Sequence, residues 1–351
     1  MKMRTAVVTG GTGYVAGQLV KLLLAEGWAV HATVRDPHNS KKVQVLTALQ
    51  QAHPGCLSLF AADLLRDGTF DAAMQGADTV FHVASPFYLP EQIKDPRLEL
   101  LEPALKGTRN VLGAVNRTAS IRKVVITSTI GAMFGDYADV LGMKDHVLTE
   151  DQFNRSSTLE NNPYHYSKVV AEEEAWRIAK GQSRWRMVAI NPGLVLGPAL
   201  TANSESGSLF LLDELMRGVF FYGVPDFSFA TVDVRDVARA HVAAALNDHA
   251  QGRYIVAGRT MTRFVEMARI VKRVHKRARL IPAHQLPNAL VRLIGPLFGL
   301  SQSYIRNHLG IRFTLDNQRS IDELGLRYRP IDETLVAHYK AWQDWRDAGK
   351  T

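Results

Sequence analysis

Tyr164 and Lys168 stand four residues apart in the stretch Tyr164-His165-Tyr166-Ser167-Lys168. On a helix that spacing sets both side chains on one face. A phenol titrates at about 10, too high for efficient proton transfer at neutral pH. A lysine cation about 4 Å away contributes about 4 kcal/mol at an effective dielectric of about 20, or roughly three pKa units. The pair is therefore expected to work as a general acid, with Tyr164 as donor. No other tyrosine in the chain has a lysine four residues on. Tyr166 faces elsewhere and reads as packing or pocket lining. Upstream, Thr127-Ser128-Thr129 closes a β-rich run. A hydroxyl there points into the crevice and can donate to a carbonyl oxygen, stabilising the charge that develops on it. The bland alternative is that small hydroxyl residues simply end a strand.

The third feature with chemical content is Thr9-Gly10-Gly11-Thr12-Gly13-Tyr14-Val15-Ala16-Gly17, between a strand pattern and a helix pattern. Glycines at 10 and 13 let the backbone turn tightly and approach a pyrophosphate. The following helix aims free N–H groups and its positive dipole end at that phosphate. The context points to a dinucleotide site rather than an empty tight turn. The next strand ends Ala32-Thr33-Val34-Arg35-Asp36, with Lys41 and Lys42 beyond. An acidic residue at this position suits the ribose 2′-hydroxyl of NAD, whereas Arg suits a 2′-phosphate. Arg35 arrives first, so NADP(H) is preferred over NAD(H); Asp36 keeps the other cofactor open.

These residues need a frame. β-branched, nearly continuous apolar runs at 4–9, 29–34, 57–60, 79–83, 123–128 and 187–191 read as strands buried on both faces. Helical patterns at 14–26, 41–51, 68–75, 98–117 and 163–180 separate them. The alternation predicts an α/β fold: a Rossmann-type, doubly wound parallel sheet. Beyond Pro198 the rhythm breaks at a Ser/Asn/Gly-rich loop, 201–208, followed by helices near 209–217 and 234–246. The expected division is a dinucleotide-binding domain over 1–195, with returning segments near 229–258 and 312–330. A smaller, mainly helical substrate lobe then comprises 196–228, 259–311 and 331–351. Lys272, Arg273, Lys276, Arg277 and Arg279 read as a solvated helix end rather than a nucleic-acid surface. The apolar stretch 286–300, broken by Pro287, Gly295, Pro296 and Gly299, reads as a buried or substrate-facing element, not a membrane anchor.

Composition agrees with an ordinary globular chain: 351 residues, 46% apolar and 22% charged. Its net charge of +8 suits an anionic cofactor without requiring nucleic acid. Cys56 is the only cysteine, which excludes an internal disulfide and fits a reducing compartment. The N-terminus leaves no room for the apolar core of a signal peptide, and no apolar run is long enough to span a bilayer. A cytoplasmic location, no membrane or nucleic-acid partner and no metal are expected, with a monomer or homodimer both open.

In this order, the three elements resemble the extended short-chain dehydrogenase/reductase superfamily. The match sharpens towards the branch holding dihydroflavonol 4-reductases, cinnamoyl-CoA reductases and related microbial carbonyl reductases. Stretches carrying the resemblance include Ala62-Asp63-Leu64, Phe81-His82-Val83-Ala84-Ser85-Pro86, Lys106-Gly107-Thr108-Arg109-Asn110 and Asn191-Pro192-Gly193-Leu194-Val195-Leu196-Gly197-Pro198. Val232-Asp233-Val234-Arg235-Asp236 and the tail Glu323-Leu324-Gly325-Leu326-Arg327-Tyr328 extend it over nearly the whole chain.

The resemblance implies NADP(H)-dependent reduction of an aldehyde or ketone to an alcohol. It makes Tyr164 the proton donor and Lys168 the residue that holds the nicotinamide ribose. Thr129 falls on the usual catalytic serine, with Ser128 as the fallback. For the cofactor, Gly10, Thr12, Gly13, Tyr14 and Val15 match the phosphate turn, in which Ala16 replaces the usual third glycine. Arg35 and Lys42 match the 2′-phosphate contacts, and Asp63 and Leu64 the adenine contacts. Val83, Ala84, Ser85 and Thr127 join Tyr164 and Lys168 near the nicotinamide ribose. Pro192, Gly193, Leu194 and Val195 receive the carboxamide, with Ser208 completing that contact.

Rival readings are a sterol- or sugar-alcohol dehydrogenase or an epimerase, against which Arg35 argues, and a non-catalytic NADP(H)-binding protein. A CoA-thioester reductase is a third. The Asn-Trp-Tyr-Cys-Tyr of that group reads Asn162-Pro163-Tyr164-His165-Tyr166 here. The substrate is expected to be a bulky or aromatic carbonyl compound, with Phe134, Tyr137, Met143, Phe210, Phe220, Phe221 and Tyr222 as possible walls.

Overall fold

A computed structural model describes residues 3–85, 93–201 and 206–348. Pro86 and residues 202–205 of the 201–208 loop lie outside the described residues. The first half alternates as predicted: β1 (Thr5–Val8), α1 (Tyr14–Ala25), β2 (Ala29–Val34), α2 (Ser40–Ala52) and β3 (Leu57–Ala61). Then come α3 (Asp71–Met74), β4 (Thr79–His82), α4 (Glu102–Arg117), β5 (Lys123–Thr127), α5 (Pro163–Lys180) and β6 (Arg186–Pro192). The apolar continuity of these strands has its expected cause. Every residue of β4 is buried, and all of β6 but Arg186.

Seven strands form one parallel sheet once β7 (Gly252–Val256) joins, in the order β7-β6-β5-β4-β1-β2-β3. The chain enters at β1, winds outward to β3 and then crosses to β4, so β1 and β4 flank the switch point. Open α/β sheets bind ligands beyond the carboxyl ends of such strands. One face packs α1 and α7 (Val234–Leu246), through Leu19, Leu23, Val237 and Ala240. The other packs α4 and α5, through Val111, Leu112, Val115 and Ala175. α1 stops where Gly27 takes φ 79°, with Gly27 and Trp28 N–H donating to Leu24 and Leu23 carbonyls at 3.1 and 3.0 Å.

Three further helices, α6 (Gly207–Arg217), α8 (Phe264–Val274) and α9 (Ile331–Ala348), share a separate core. It includes Leu212, Leu215, Met267, Val271 and Leu335. The basic residues at the end of α8 are engaged: Arg273 with Asp332, and Lys276 with Asp347 at 3.1 Å. The 286–300 stretch is buried only in part. It forms the short helix Asn288–Ile294 and a 3-10 turn, Gly295–Phe298. Val291 is 3% exposed and packs with Leu286 and Leu300, whereas Leu293 and Leu297 are 77% and 84% exposed. No described helix is long and apolar enough to cross a membrane.

Three buried histidines make a testable liability. His82, His241 and His338 are at most 8% exposed, and burial pushes each down to about 4 from 6.5. The unfolded chain therefore binds more protons between those values, and stability drains as pH falls through that window. Each site contributes up to roughly 3 kcal/mol. Denaturant titrations should show full stability above pH 6.5 and a steep loss on approach to pH 4. A flat profile across that range would contradict the neutral burial of these rings.

Candidate active site

The glycine turn is pinned to the end of β2. Gly10 N–H donates to Thr33 Oγ1 at 3.2 Å, Gly11 N–H to Thr33 O at 2.8 Å. Gly10 has φ 68°, and a Cβ there would meet Ala84 Cβ at 3.0 Å. No side-chain hydrogen bond caps α1, and Gly13 N–H itself closes the turn by donating to Gly10 O at 2.8 Å. The same turn is anchored from behind, where the buried Tyr14 hydroxyl donates to Gly197 O at 2.8 Å. Tyr14 thus contributes its backbone to the cradle, and its side chain to packing.

Arg35 and Lys42 are exposed beside the cradle. Asp36 is turned to local work, accepting His38 N–H at 2.9 Å. Asp63 accepts Leu65 N–H at 2.8 Å, and Leu64 O accepts from Asn110 Nδ2 at 2.7 Å. A glycine-rich turn, a helix start without a side-chain cap and two exposed cations, Arg35 just past β2 and Lys42 in α2, fit a dinucleotide with an anionic ribose substituent.

At the end of β4, Thr9 Oγ1 accepts N–H bonds from Val83 and Ala84, both at 3.0 Å. Its own hydrogen then goes to His82 Nδ1, 3.1 Å away. Ser85 is held from α5: Lys168 Nζ donates to Ser85 Oγ at 2.5 Å. The same ammonium lies 5.6 Å from the centre of the Tyr164 ring. The helix face predicted for the pair is therefore observed. Its electrostatic consequence is not. Desolvation pushes Tyr164 up to about 12 and Lys168 down to about 8. The ammonium sits over the ring and spends a hydrogen bond on Ser85 rather than on the phenol oxygen. The expected lowering of the phenol's pKa by Lys168 is therefore not found.

The three hydroxyls of 127–129 have separate fates. Thr127 Oγ1 pairs with His241 Nε2 at 2.6 Å, under the sheet. His241 gives its Nδ1 hydrogen to Val237 O at 2.8 Å, so Thr127 is the donor. Ser128 donates to the buried Glu172 carboxylate. Thr129 Oγ1 accepts Gly131 N–H at 3.1 Å and keeps its own hydrogen available. Ser128, the fallback donor, thus has its hydroxyl committed to Glu172.

The 192–195 segment crosses between sheets. Gly193 N–H donates to Val256 O at 3.2 Å, and Leu194 N–H to Ala230 O at 2.6 Å. Ser208, buried in α6, pairs with Ser206 at 2.7 Å. Its neighbour Leu209 packs with Tyr14, Val15 and Val195, which brings that helix start to the cradle. Of the suggested walls, Phe134 is core and Phe220 packs against α8, while Phe210, Phe221 and Tyr222 are exposed.

Reading the sequence missed His165 and Glu172. His165 donates Nδ1–H to Gly135 O at 3.0 Å and stands against Gly131, where a Cβ would lie 2.5 Å from its ring. It supports the turn after Thr129. Glu172 lies four residues past Lys168, a continuation of the helix stripe that could have signalled it.

A doubly wound sheet with a glycine cradle at its switch point and a Tyr–Lys pair beside it defines a dinucleotide-dependent oxidoreductase. More narrowly, the chain belongs to the NAD dependent epimerase/dehydratase family, whose model matches residues 6–258, and to the extended short-chain dehydrogenase/reductases. It is 39% identical to a cinnamoyl-CoA reductase of Medicago truncatula over 311 residues, covering 88% of this chain and 90% of that protein. Anthocyanidin reductase of Vitis vinifera is 37% identical over 260 residues, covering 72% and 75%. Among solved structures, yeast methylglyoxal/isovaleraldehyde reductase Gre2 complexed with NADPH aligns with a TM-score of 0.80. It is 25% identical, covering 98% of this chain and 99% of that one. Gre2 of Candida albicans, also in complex with NADPH, gives 0.77 at 28% identity, covering 97% and 99%.

Proposed function

We propose that this protein reduces a ketone or aldehyde to an alcohol with NADPH, preferred over NADH. The observation that carries the reading is the Lys168 ammonium over the Tyr164 ring, on the helix face beside the cradle. Bound there, NADPH supplies the hydride. Gly10, Thr12, Gly13 and Val15 hold the pyrophosphate, Arg35 and Lys42 the 2′-phosphate, and Asp63 and Leu64 the adenine side. Val83, Ala84, Ser85 and Lys168 hold the nicotinamide ribose, and 192–195 with Ser208 the carboxamide. Thr129 and Tyr164 donate hydrogen bonds to the substrate oxygen, and Tyr164 delivers its proton there as negative charge develops. Residues 1–195 with the returning segments form the cofactor domain, and the remaining segments form the substrate lobe. A bulky or aromatic carbonyl compound suits that lobe.

The experiment is a panel of aryl and aliphatic ketones and aldehydes, run with NADPH and NADH side by side. At least one should consume NADPH faster than NADH. Arg35→Ser should raise the NADPH dissociation constant by about tenfold to a hundredfold, with NADH affected far less, because a charge-assisted bond is worth about 1.5–3 kcal/mol. An unchanged NADPH/NADH ratio would remove Arg35 from cofactor choice.

The Medicago relative favours a second reading, reduction of a CoA thioester to an aldehyde. His165 stands where that group carries cysteine. Release of the CoA thiol when a cinnamoyl thioester joins the panel would decide for it.

A further inference from the structure

On α5 the stripe Tyr164, Lys168, Glu172 runs from the crevice into the protein. Glu172 is 2% exposed, yet it is the most heavily bonded carboxylate near the site. It accepts from Ser128 Oγ, from Asn191 Nδ2 at 3.0 Å and from Trp176 Nε1 at 3.1 Å. It also pairs with Arg253 Nε at 2.6 Å, both side chains being almost fully buried. Ser128, Asn191 and Arg253 lead back to the catalytic turn. Ser128 precedes Thr129, and Asn191 Nδ2 also donates to Thr129 O at 3.1 Å. Arg253 reaches Ala132 O at 3.2 Å, just past the turn that Thr129 caps.

A buried ion pair brings little net stability, since desolvation offsets the attraction. The direction of these bonds suggests another use. We propose that Glu172 is a positioning residue, locking the 128–132 turn on β5 to α5 so that Thr129 and Tyr164 converge on one substrate oxygen. This rests on the reductase reading given above. The Glu172 carboxylate is spent on these partners inside the protein. Its effect passes through Ser128 and Asn191, and misplacement of about 1 Å at a reacting group can cost about a hundredfold in rate.

Glu172→Gln alone leaves the Arg253 guanidinium buried without a counter-charge, so stability and activity fall together. Two other variants separate those effects. Ser128→Ala deletes one hydroxyl and cuts the link at the catalytic side. Glu172→Met with Arg253→Met removes both charges and restores most of the Tm lost in the single variant. In both, kcat should fall by about tenfold to about a hundredfold. KM and the NADPH dissociation constant, read from nicotinamide fluorescence, should stay within about twofold.

Wild-type kcat in Ser128→Ala, or recovery of kcat together with Tm in the double variant, overturns the proposal. If the double variant does not fold, Ser128→Ala decides alone. Tyr164→Phe is run in parallel. Full activity there defeats the reductase reading itself, whereas an inactive Tyr164→Phe beside a fully active Ser128→Ala defeats only the positioning role.

Discussion

Replacing Tyr164 by phenylalanine should lower kcat by about 10²- to 10⁴-fold, the range that one positioned proton donor contributes. The ring would remain, so its contact with the Lys168 ammonium, at 5.6 Å from the ring centre, would survive. So would the bond from Lys168 to Ser85, at 2.5 Å, which involves no atom of Tyr164. Only the acidic hydrogen and its oxygen disappear. NADPH binding, read by fluorescence titration, should therefore change little while turnover collapses. The variant has no ionisable group at this position, so the defect should not be rescued by changing pH. Equal rates for the two proteins would defeat the role assigned to this hydroxyl.

Gly193→Ala should be the most damaging single methyl group in the cofactor region. A Cβ at this position would lie 2.1 Å from Ala230 O and 2.9 Å from its carbonyl carbon. The obstacle is backbone, which cannot swing aside like a flexible side chain. Nor can residue 193 retreat, because its N–H is tied to Val256 and the next residue's to Ala230. The following segment, Leu194–Leu196, pairs in parallel with Thr231–Asp233. Relief therefore requires separating two paired segments, at about 4 kcal/mol or more. Denaturant unfolding and NADPH titration should show a protein that is much less stable and binds the cofactor poorly. A variant with wild-type stability would contradict the close crossing of 193 and 230.

Much of this was legible before the fold was known. Six of the seven sheet strands announce themselves as apolar runs; double burial explains the central ones, as in Val124-Val125-Ile126, but not the edge strand β3, where Ser58 and Ala61 are exposed. The cradle was legible because a positive φ at residue 10 and a close approach to Ala84 leave glycine as the residue that fits. The pairing of residues 164 and 168 follows from helix geometry alone. β7 was harder. It lies beside β6 across about 60 intervening residues, and only long-range packing places it there.

Hydroxyl roles within 127–129 were illegible for a related reason. Adjacent residues on a strand end point in opposite directions. What each meets, His241 or Glu172, comes from helices more than 40 residues away. The lysine effect on Tyr164 failed because spacing gives a face, not the atom at which a charge is aimed. Leu293 and Leu297 failed differently. Apolarity signals burial only when a neighbouring surface exists to cover it.

The most direct test of the account uses NADPH carrying deuterium at the transferable C4 position of the nicotinamide, with any carbonyl compound the panel identifies. The alcohol product should carry that deuterium on its carbinol carbon, in a single configuration. Product that forms without the label, or cofactor that is consumed without an alcohol appearing, would contradict a carbonyl reductase.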